Sequence, residues 1–127
     1  YLTHLRQVIL SLGHHGQVII VGRGANYILP VACAVSVRLT APLEPRVRRF
    51  AERARISTER ARRQVEQTDL ERAAFIREAF GKDVDSAEDY DLVLNTGELS
   101  LEAAAETVLA RMREKLELQI ESMPCAR

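Results

Sequence analysis

The sequence predicts an α/β fold in which helices cover both faces of a parallel sheet, giving three layers. Three short runs that contain β-branched or aromatic residues, 17–21, 34–39 and 90–94, are typical of strands. Segments with apolar residues at helical spacing lie before, between and after these runs. Strands that alternate with helices indicate a parallel sheet, because each crossover places a helix against a face of the sheet.

The beginning of the chain is predicted to contain a helix, a strand and a turn. Apolar residues three and four positions apart predict an amphipathic helix over residues 2–13, ended by glycines. The continuous apolar run 17–21 predicts a strand buried on both faces. Gly22-Arg23-Gly24 interrupts this strand, and residues 25–29 are expected to form a short helical turn before Pro30.

Helices dominate the rest of the prediction. Between the second and third strands the sequence favours a helix over 43–54, a helix that begins after a Ser57 cap, and a helix from residue 68 or 69 to Phe80. Gly81 is expected to end the last of these three. The final helix is predicted to begin after Ser100, and its apolar face continues to Ile120.

Composition excludes several classes of protein. The formal net charge is zero and only three tyrosines and three phenylalanines are present, so neither a basic stripe nor stacking platforms for nucleic acid are expected. No apolar run approaches the roughly 18 residues that cross a bilayer, so we expect no membrane partner and a cytoplasmic protein. Cys33 and Cys125 lack the spacing of a metal site. Cys33 is expected to pack at the start of the second strand, and no metal ligands are predicted.

The Gly22-Arg23-Gly24 turn is the first candidate site. Ligands of open parallel sheets bind beyond the carboxyl ends of strands, and glycines let backbone amides approach an anion. An ordinary turn with a solvated arginine is the alternative. The chain contains no phosphate-binding loop of the form G-x-x-x-x-G-K-[ST].

An arginine-rich segment is the second candidate. Residues 44–77 hold ten arginines against six acids, and guanidinium groups match the oxygens of phosphate. A solvated helix face would show the same composition. Asp69 and Arg72 stand three residues apart and therefore share one face of a helix, where an ordinary surface ion pair is again the alternative.

Residues 17–109 resemble the cytidylate-kinase-like family. The resemblance is carried by the strand followed by Gly-Arg-Gly, by the D-x-x-R pattern at 69–72, and by Asp-Tyr-Asp-Leu-Val-Leu-Asn-Thr at 89–96 before a final helix. It implies the fold of a nucleoside monophosphate kinase, which transfers the γ-phosphoryl group of ATP, with Mg²⁺, to a nucleoside monophosphate such as CMP. Such transfer depends on positioning and charge stabilisation more than on covalent chemistry.

The resemblance also implies roles for individual residues. Arg23, with Gly22 and Gly24 beside it, would contact the acceptor nucleotide, and Asp69 with Arg72 would bind its sugar or phosphate. The acceptor site would also include Arg46, and the arginines implied in catalysis are Arg49, Arg53 and Arg72. Gly24 stands where cytidylate kinases have an acidic residue after the Gly-Arg pair, so the acceptor base is left open.

The absent phosphate-binding loop affects the expected domain organisation. We expect that loop to lie upstream of Tyr1, so that residues 1–127 form a single partial kinase-like domain with a helical lid at about 53–82. ATP and Mg²⁺ are then expected for the complete enzyme. Two alternatives remain open: a non-catalytic nucleotide-binding or regulatory domain, and an interaction module, such as a homodimer, that pairs through the C-terminal helix.

Overall fold

The computed structural model describes residues 1–123 and contains five α-helices and two strands in that part of the chain. In chain order these are α1 (Leu2–His15), α2 (Ala25–Ile28), β1 (Val37–Thr40), α3 (Leu43–Ala54), α4 (Thr58–Phe80), β2 (Leu92–Asn95) and α5 (Leu101–Ser122). Short 3₁₀ helices at Val31–Cys33 and Ala87–Asp89 precede the two strands.

The two strands form a parallel pair. Val37 lies opposite Leu92, and the register continues to Thr40 opposite Asn95. The mixed helix and strand composition and the parallel pairing agree with the predicted fold class. The predicted three-layer sheet is not confirmed, because the sheet within residues 1–123 has two strands.

The predicted first strand is wrong. Residues 17–21 belong to no strand of the described chain, and Ile19 and Val21 are 92% and 87% exposed. Strand formation requires backbone partners as well as β-branched side chains. In addition, Gly16 just before the segment and Gln17 at its start both have positive φ angles, of 69° and 51°. The apolar run therefore lies on the surface instead of inside a sheet.

Two predicted helices are one helix in the structure. Ser57 caps α4 as expected, since its hydroxyl accepts a hydrogen bond from the Arg60 amide at 3.2 Å. The helix then continues without a break to Phe80, because the residues before Thr68 are good helix formers and include no glycine or proline. Gly81, with a φ of 64°, ends it as predicted. The prediction of a helix over 43–54 is confirmed as α3.

The core lies between α3 and α4. Val47 of α3 and Ala61 of α4 are fully buried, and Ala51 is 8% exposed beside them. Phe50 and Val65 are partly buried against this cluster. Small residues let the two helix backbones approach closely, so α3 and α4 form a packed hairpin whose side chains hold defined positions.

The C-terminal helix α5 begins where the sequence predicts. The hydroxyl of Ser100 accepts a hydrogen bond from the Ala103 amide at 3.1 Å. Its apolar residues Met112, Leu116 and Ile120 are half exposed or more, and pairing through them stays a prediction. Among the described helices, none combines the length and the apolar character that a membrane crossing requires.

Cys33 is placed differently from the prediction. It lies in the first 3₁₀ helix, and its side chain is exposed. The strand begins only at Val37, so Cys33 has no sheet face against which to pack. Cys125 lies outside the described residues.

A partly buried carboxylate joins α5 to the strands. The Asp91 side chain is 8% exposed and accepts hydrogen bonds from the Ser36 amide at 2.8 Å and from Lys115 Nζ at 3.0 Å. Arg111 Nη2 donates to it at 3.1 Å. Burial alone would raise the pKa of Asp91, but these donors outweigh it and lower the pKa to about 2. The network is therefore a structural attachment for α5.

We predict that Asp91→Asn destabilises the chain by about 2 kcal/mol, because the Lys115 ammonium loses its ionised partner. A carboxyl group with a lowered folded-state pKa contributes stability above its unfolded pKa near 3.8, and that contribution disappears as the pH falls to about 2. Urea unfolding between pH 2 and pH 7 measures both effects. Asp85→Asn is the control, since Asp85 is 74% exposed in its ion pair with Arg38 and should cost less than about 1 kcal/mol. Equal losses in the two variants would contradict the assignment.

Candidate functional site

Two arginines and a carboxylate meet just beyond the carboxyl end of β1. Arg46 Nη1 donates to both oxygens of Asp69, at 3.0 Å and 2.8 Å. Arg46 Nε donates to the carbonyl oxygen of Ala41, the residue that follows β1, at 3.0 Å. Arg72 Nη1 donates to Asp69 Oδ1 at 3.3 Å. We call Arg46, Asp69 and Arg72 the arginine cluster.

The packing of the helix hairpin creates this cluster. Arg46 stands on the first turn of α3, next to the buried Val47, and Asp69 lies in the middle of α4. Contact between the two helices brings the side chains together although they are far apart in sequence. Arg72 is one turn after Asp69 on the same face of α4, as predicted from their spacing.

The arginine cluster is accessible and keeps unused donors. The side chains of Arg46, Asp69 and Arg72 are 33%, 38% and 47% exposed. Three guanidinium nitrogens donate no hydrogen bond to the described part of the chain. They are Nη2 of Arg46 and both Nε and Nη2 of Arg72. Two guanidinium groups around one carboxylate leave one net positive charge. The cluster can therefore bind an anion without breaking the contacts it already has.

Two further arginines extend the positive surface along α3. Arg49 and Arg53 follow Arg46 at spacings of three and four, so the three side chains lie on one side of the helix. Both are exposed, and neither forms an ion pair within residues 1–123. The cleft between α3 and α4 has a volume of about 450 Å³. Its lining is formed by Phe50, Arg63, Gln64, Gln67 and Thr68.

The Gly22-Arg23-Gly24 turn lies elsewhere. Arg23 Nη1 is 3.5 Å from the hydroxyl of Tyr1, and Gly24 packs against the ring of Phe80 at the end of α4. Phe80 is about three helical turns beyond Asp69, roughly 16 Å along the helix. Within residues 1–123 Arg23 forms no hydrogen bond with Asp69 or Arg72, and the single pocket that the sequence predicts stays a prediction.

A second cavity, of about 250 Å³, lies at the opposite edge, next to the amino ends of the strands. Its charged lining consists of Lys82 against Glu88, Asp89 and Asp91. Lys82 is already paired with Asp89 at 3.4 Å. An anionic ligand would meet more acids than bases there, so the arginine cluster is the better candidate for phosphate.

The sequence missed the Arg46–Asp69 pair. The sequence spacing of residues predicts contacts of Asp69 only with side chains on its own helix. Arg46 was placed in the acceptor site through the resemblance, not through a predicted contact with Asp69. No local pattern connects two residues on different helices, because their contact depends on how α3 packs against α4. The glutamines and Phe50 of the cleft were missed for the same reason.

Metal binding was tested on the side chains present. Within residues 1–123 no three His, Cys, Asp or Glu side chains are grouped as metal ligands would be. The carboxylate of the arginine cluster already faces two cations, which disfavours a metal ion beside it.

A parallel strand pair with arginines beyond the end of one strand is typical of α/β proteins that bind anions. Residues 1–98 match the cytidylate kinase-like family, and the chain belongs to that family. The recognition made from the sequence is thus confirmed.

Three relatives are named cytidylate kinase. That of Ignicoccus hospitalis is 34% identical over 102 residues, which cover 80% of this chain and 59% of the relative. That of Methanopyrus kandleri is 32% identical and covers 76% of this chain and 58% of the relative. The relative from Staphylothermus marinus is 31% identical, and the match covers 68% of this chain and 49% of the relative. The chain thus spans between about half and three fifths of the length of these relatives.

We predict that Gly24→Ala destabilises the chain more than Gly22→Ala. Both glycines have positive φ angles, of 67° and 76°, so either alanine costs about 1 kcal/mol of backbone strain. A Cβ at Gly24 would also overlap the Phe80 ring, whereas a Cβ at Gly22 would meet open space. Overpacking should add about 1 kcal/mol or more at Gly24. Denaturant unfolding of the two variants measures the difference, and equal destabilisation would show that Gly24 does not pack against Phe80.

Proposed function

We propose that this chain supplies acceptor-binding and lid residues of a nucleoside monophosphate kinase, with CMP as the expected acceptor. The observation that carries the proposal is the arginine cluster, which presents unused guanidinium donors at the carboxyl end of β1. Membership of the cytidylate kinase-like family supports the same reading. The reaction class is transfer of a phosphoryl group to the phosphate of the acceptor.

The chemistry of the arginine cluster fits a phosphate group. A guanidinium group offers parallel N–H donors that match two phosphate oxygens, and its charge strengthens these bonds. Arg46 belongs to α3 and Arg72 to α4, so the packing of the two helices places two guanidinium groups at one carboxylate. Donors that are held in place before the ligand arrives lose little freedom on binding.

Roles for the other arginines follow from their position. Arg49 and Arg53 lie on the same side of α3 as Arg46 and, in the proposal, stabilise charge on the phosphoryl group during transfer. Arg72 would contact the acceptor phosphate and take part in the same stabilisation. The role of Arg23, Gly22 and Gly24 in acceptor binding rests on the resemblance, and the observed position of the turn does not add to it.

The phosphoryl donor requires residues other than these. The 127 residues contain no phosphate-binding loop, and we propose that ATP and Mg²⁺ are held by other residues of the complete enzyme. What this chain's residues do is bind the acceptor phosphate, orient it and neutralise its charge. A non-catalytic nucleotide-binding domain would bind the same acceptor without transfer, and an assay of phosphoryl transfer in the complete enzyme separates the two.

We predict saturable binding of CMP to this chain, measured by isothermal titration calorimetry. Arg46→Ala and Arg72→Ala should each weaken CMP binding about tenfold, because each removes a charge-assisted hydrogen bond to phosphate. Arg48→Ala is the matched control, since Arg48 is an exposed arginine on the other side of α3 and should leave the affinity unchanged.

Two results would contradict this proposal. One is the absence of saturable CMP binding by the unaltered chain. The other is an equal loss of affinity in Arg46→Ala and Arg48→Ala, which would indicate attraction by overall charge instead of a site. Titrations at two salt concentrations distinguish a site from a diffuse positive surface, since screening weakens the diffuse attraction more.

A further inference from the structure

We infer that Phe80, at the end of α4, is a positioning residue for Arg23, because its ring holds the Gly22-Arg23-Gly24 turn in place. The inference rests on the proposed function, in which Arg23 contacts the acceptor nucleotide. It adds to that function a residue that the resemblance does not name. The structural basis is the packing of the Phe80 ring against the backbone of the turn.

The Phe80 ring contacts three other segments of the chain. A Cβ on Gly24 would overlap the ring, so the ring lies against the turn at a position where only glycine leaves room. The ring of Tyr27 in α2 stacks on that of Phe80, with the ring centroids 5.2 Å apart. Arg6 of α1 lies over the same ring, with Cζ 5.7 Å from its centroid. Phe80 therefore connects the turn to α1, α2 and α4.

The backbone of the turn is strained at Arg23. Gly22, Arg23 and Gly24 all have positive φ angles, of 76°, 58° and 67°. Glycine adopts this left-handed conformation readily, whereas an arginine does so only at a cost in free energy. A strained residue keeps its conformation where the contacts around it fix the backbone. The packing of Gly24 against Phe80 is such a restraint, one residue after Arg23.

Within the described chain the sheet does not restrain the turn. Residues 17–21, which lead into it, belong to no strand, and the backbone hydrogen bonds of the turn extend no further than Tyr27. Arg23 Nη1 lies 3.5 Å from the Tyr1 hydroxyl, which is a long and therefore weak contact. We therefore attribute the position of the turn to its packing against Phe80.

A positioning role predicts that Phe80 affects CMP binding through Arg23. Without the ring the turn is free to move, so Arg23 has to be ordered when the ligand binds, and this ordering weakens binding. In a chain that already lacks the Arg23 side chain, freeing the turn should weaken binding no further. A residue that is merely structural would have the same effect with or without Arg23, so a double-mutant cycle separates the two roles.

Four substitutions on α4 test the ring. Phe80→Leu and Phe80→Met both remove the flat ring, and methionine is flexible enough to fill the space that the ring leaves. Phe80→Tyr keeps the ring and should bind CMP as the unaltered chain does. Phe75→Leu is the matched control, since Phe75 is also partly buried and meets the Phe80 ring edge-on at 6.1 Å. The three atoms closest to a Cβ on Gly24 all belong to Phe80 and none to Phe75.

The experiment titrates CMP into the unaltered chain and each variant and follows backbone amide shifts by NMR. Arg23→Ala and the double variant Arg23→Ala with Phe80→Leu complete the cycle, and thermal melting checks folding. We expect Arg23→Ala to weaken CMP binding about tenfold, and Phe80→Leu and Phe80→Met about fivefold. The double variant should bind as Arg23→Ala does, and Phe75→Leu as the unaltered chain does. Nuclear Overhauser effects between the Gly24 α protons and the Phe80 ring should be present in the unaltered chain.

Several results would overturn the inference and leave the proposed function in place. They are unchanged CMP affinity in Phe80→Leu and Phe80→Met, an equal effect of Phe80→Leu with and without Arg23, and no Overhauser effect between Gly24 and Phe80. Loss of cooperative melting in both ring-deleting variants would show that Phe80 serves folding, which also contradicts a positioning role.

Two further results concern the proposed function. If Arg23→Ala binds CMP normally while Arg46→Ala weakens binding, Arg23 is not part of the site and the inference alone fails. If the unaltered chain does not bind CMP, the proposed function fails, and the inference fails with it.

Discussion

The contact between α3 and α4 is the interaction on which the candidate site depends. Val47 and Ala61 are completely buried where the helices meet, and this small-residue contact sets the distance between the two backbones. Arg46 is the neighbour of Val47, and Asp69 lies about two turns after Ala61 along α4. A shift in this packing would move Arg46 on α3 away from Asp69 on α4. The geometry of the charged site therefore depends on an apolar contact.

The part of the chain that the structure describes contains two clusters in which one carboxylate faces two cations, and the two carboxylates differ in exposure. Asp91 is 8% exposed and takes donors from Ser36, Arg111 and Lys115. That carboxylate is enclosed, and its contacts serve to attach α5. Asp69 is 38% exposed, and its two arginines keep donors that make no hydrogen bond within residues 1–123. The first arrangement contributes stability, and the second leaves positive charge available to a ligand.

Part of the site could be predicted from the sequence. The three-residue spacing of Asp69 and Arg72 predicts their shared helix face, and the concentration of arginines in residues 44–77 predicts a surface suited to phosphate. The Arg46–Asp69 pair could not be predicted, since helix periodicity relates residues on one helix and carries no information about a neighbouring helix. The contact of Gly24 with the Phe80 ring was likewise not predicted, because nothing in the Gly22-Arg23-Gly24 motif indicates which helix it packs against.

The sequence by itself determined the local elements of this protein: the bounds of α3, the Ser57 and Ser100 caps and the end of α4 at Gly81. These depend on hydrogen bonds and backbone preferences between residues close in the chain. Only the tertiary structure decided whether the β-branched run 17–21 becomes a strand and which arginine meets Asp69. Both depend on partners distant in sequence, since a strand needs a neighbouring strand and an ion pair between helices needs the helices to pack.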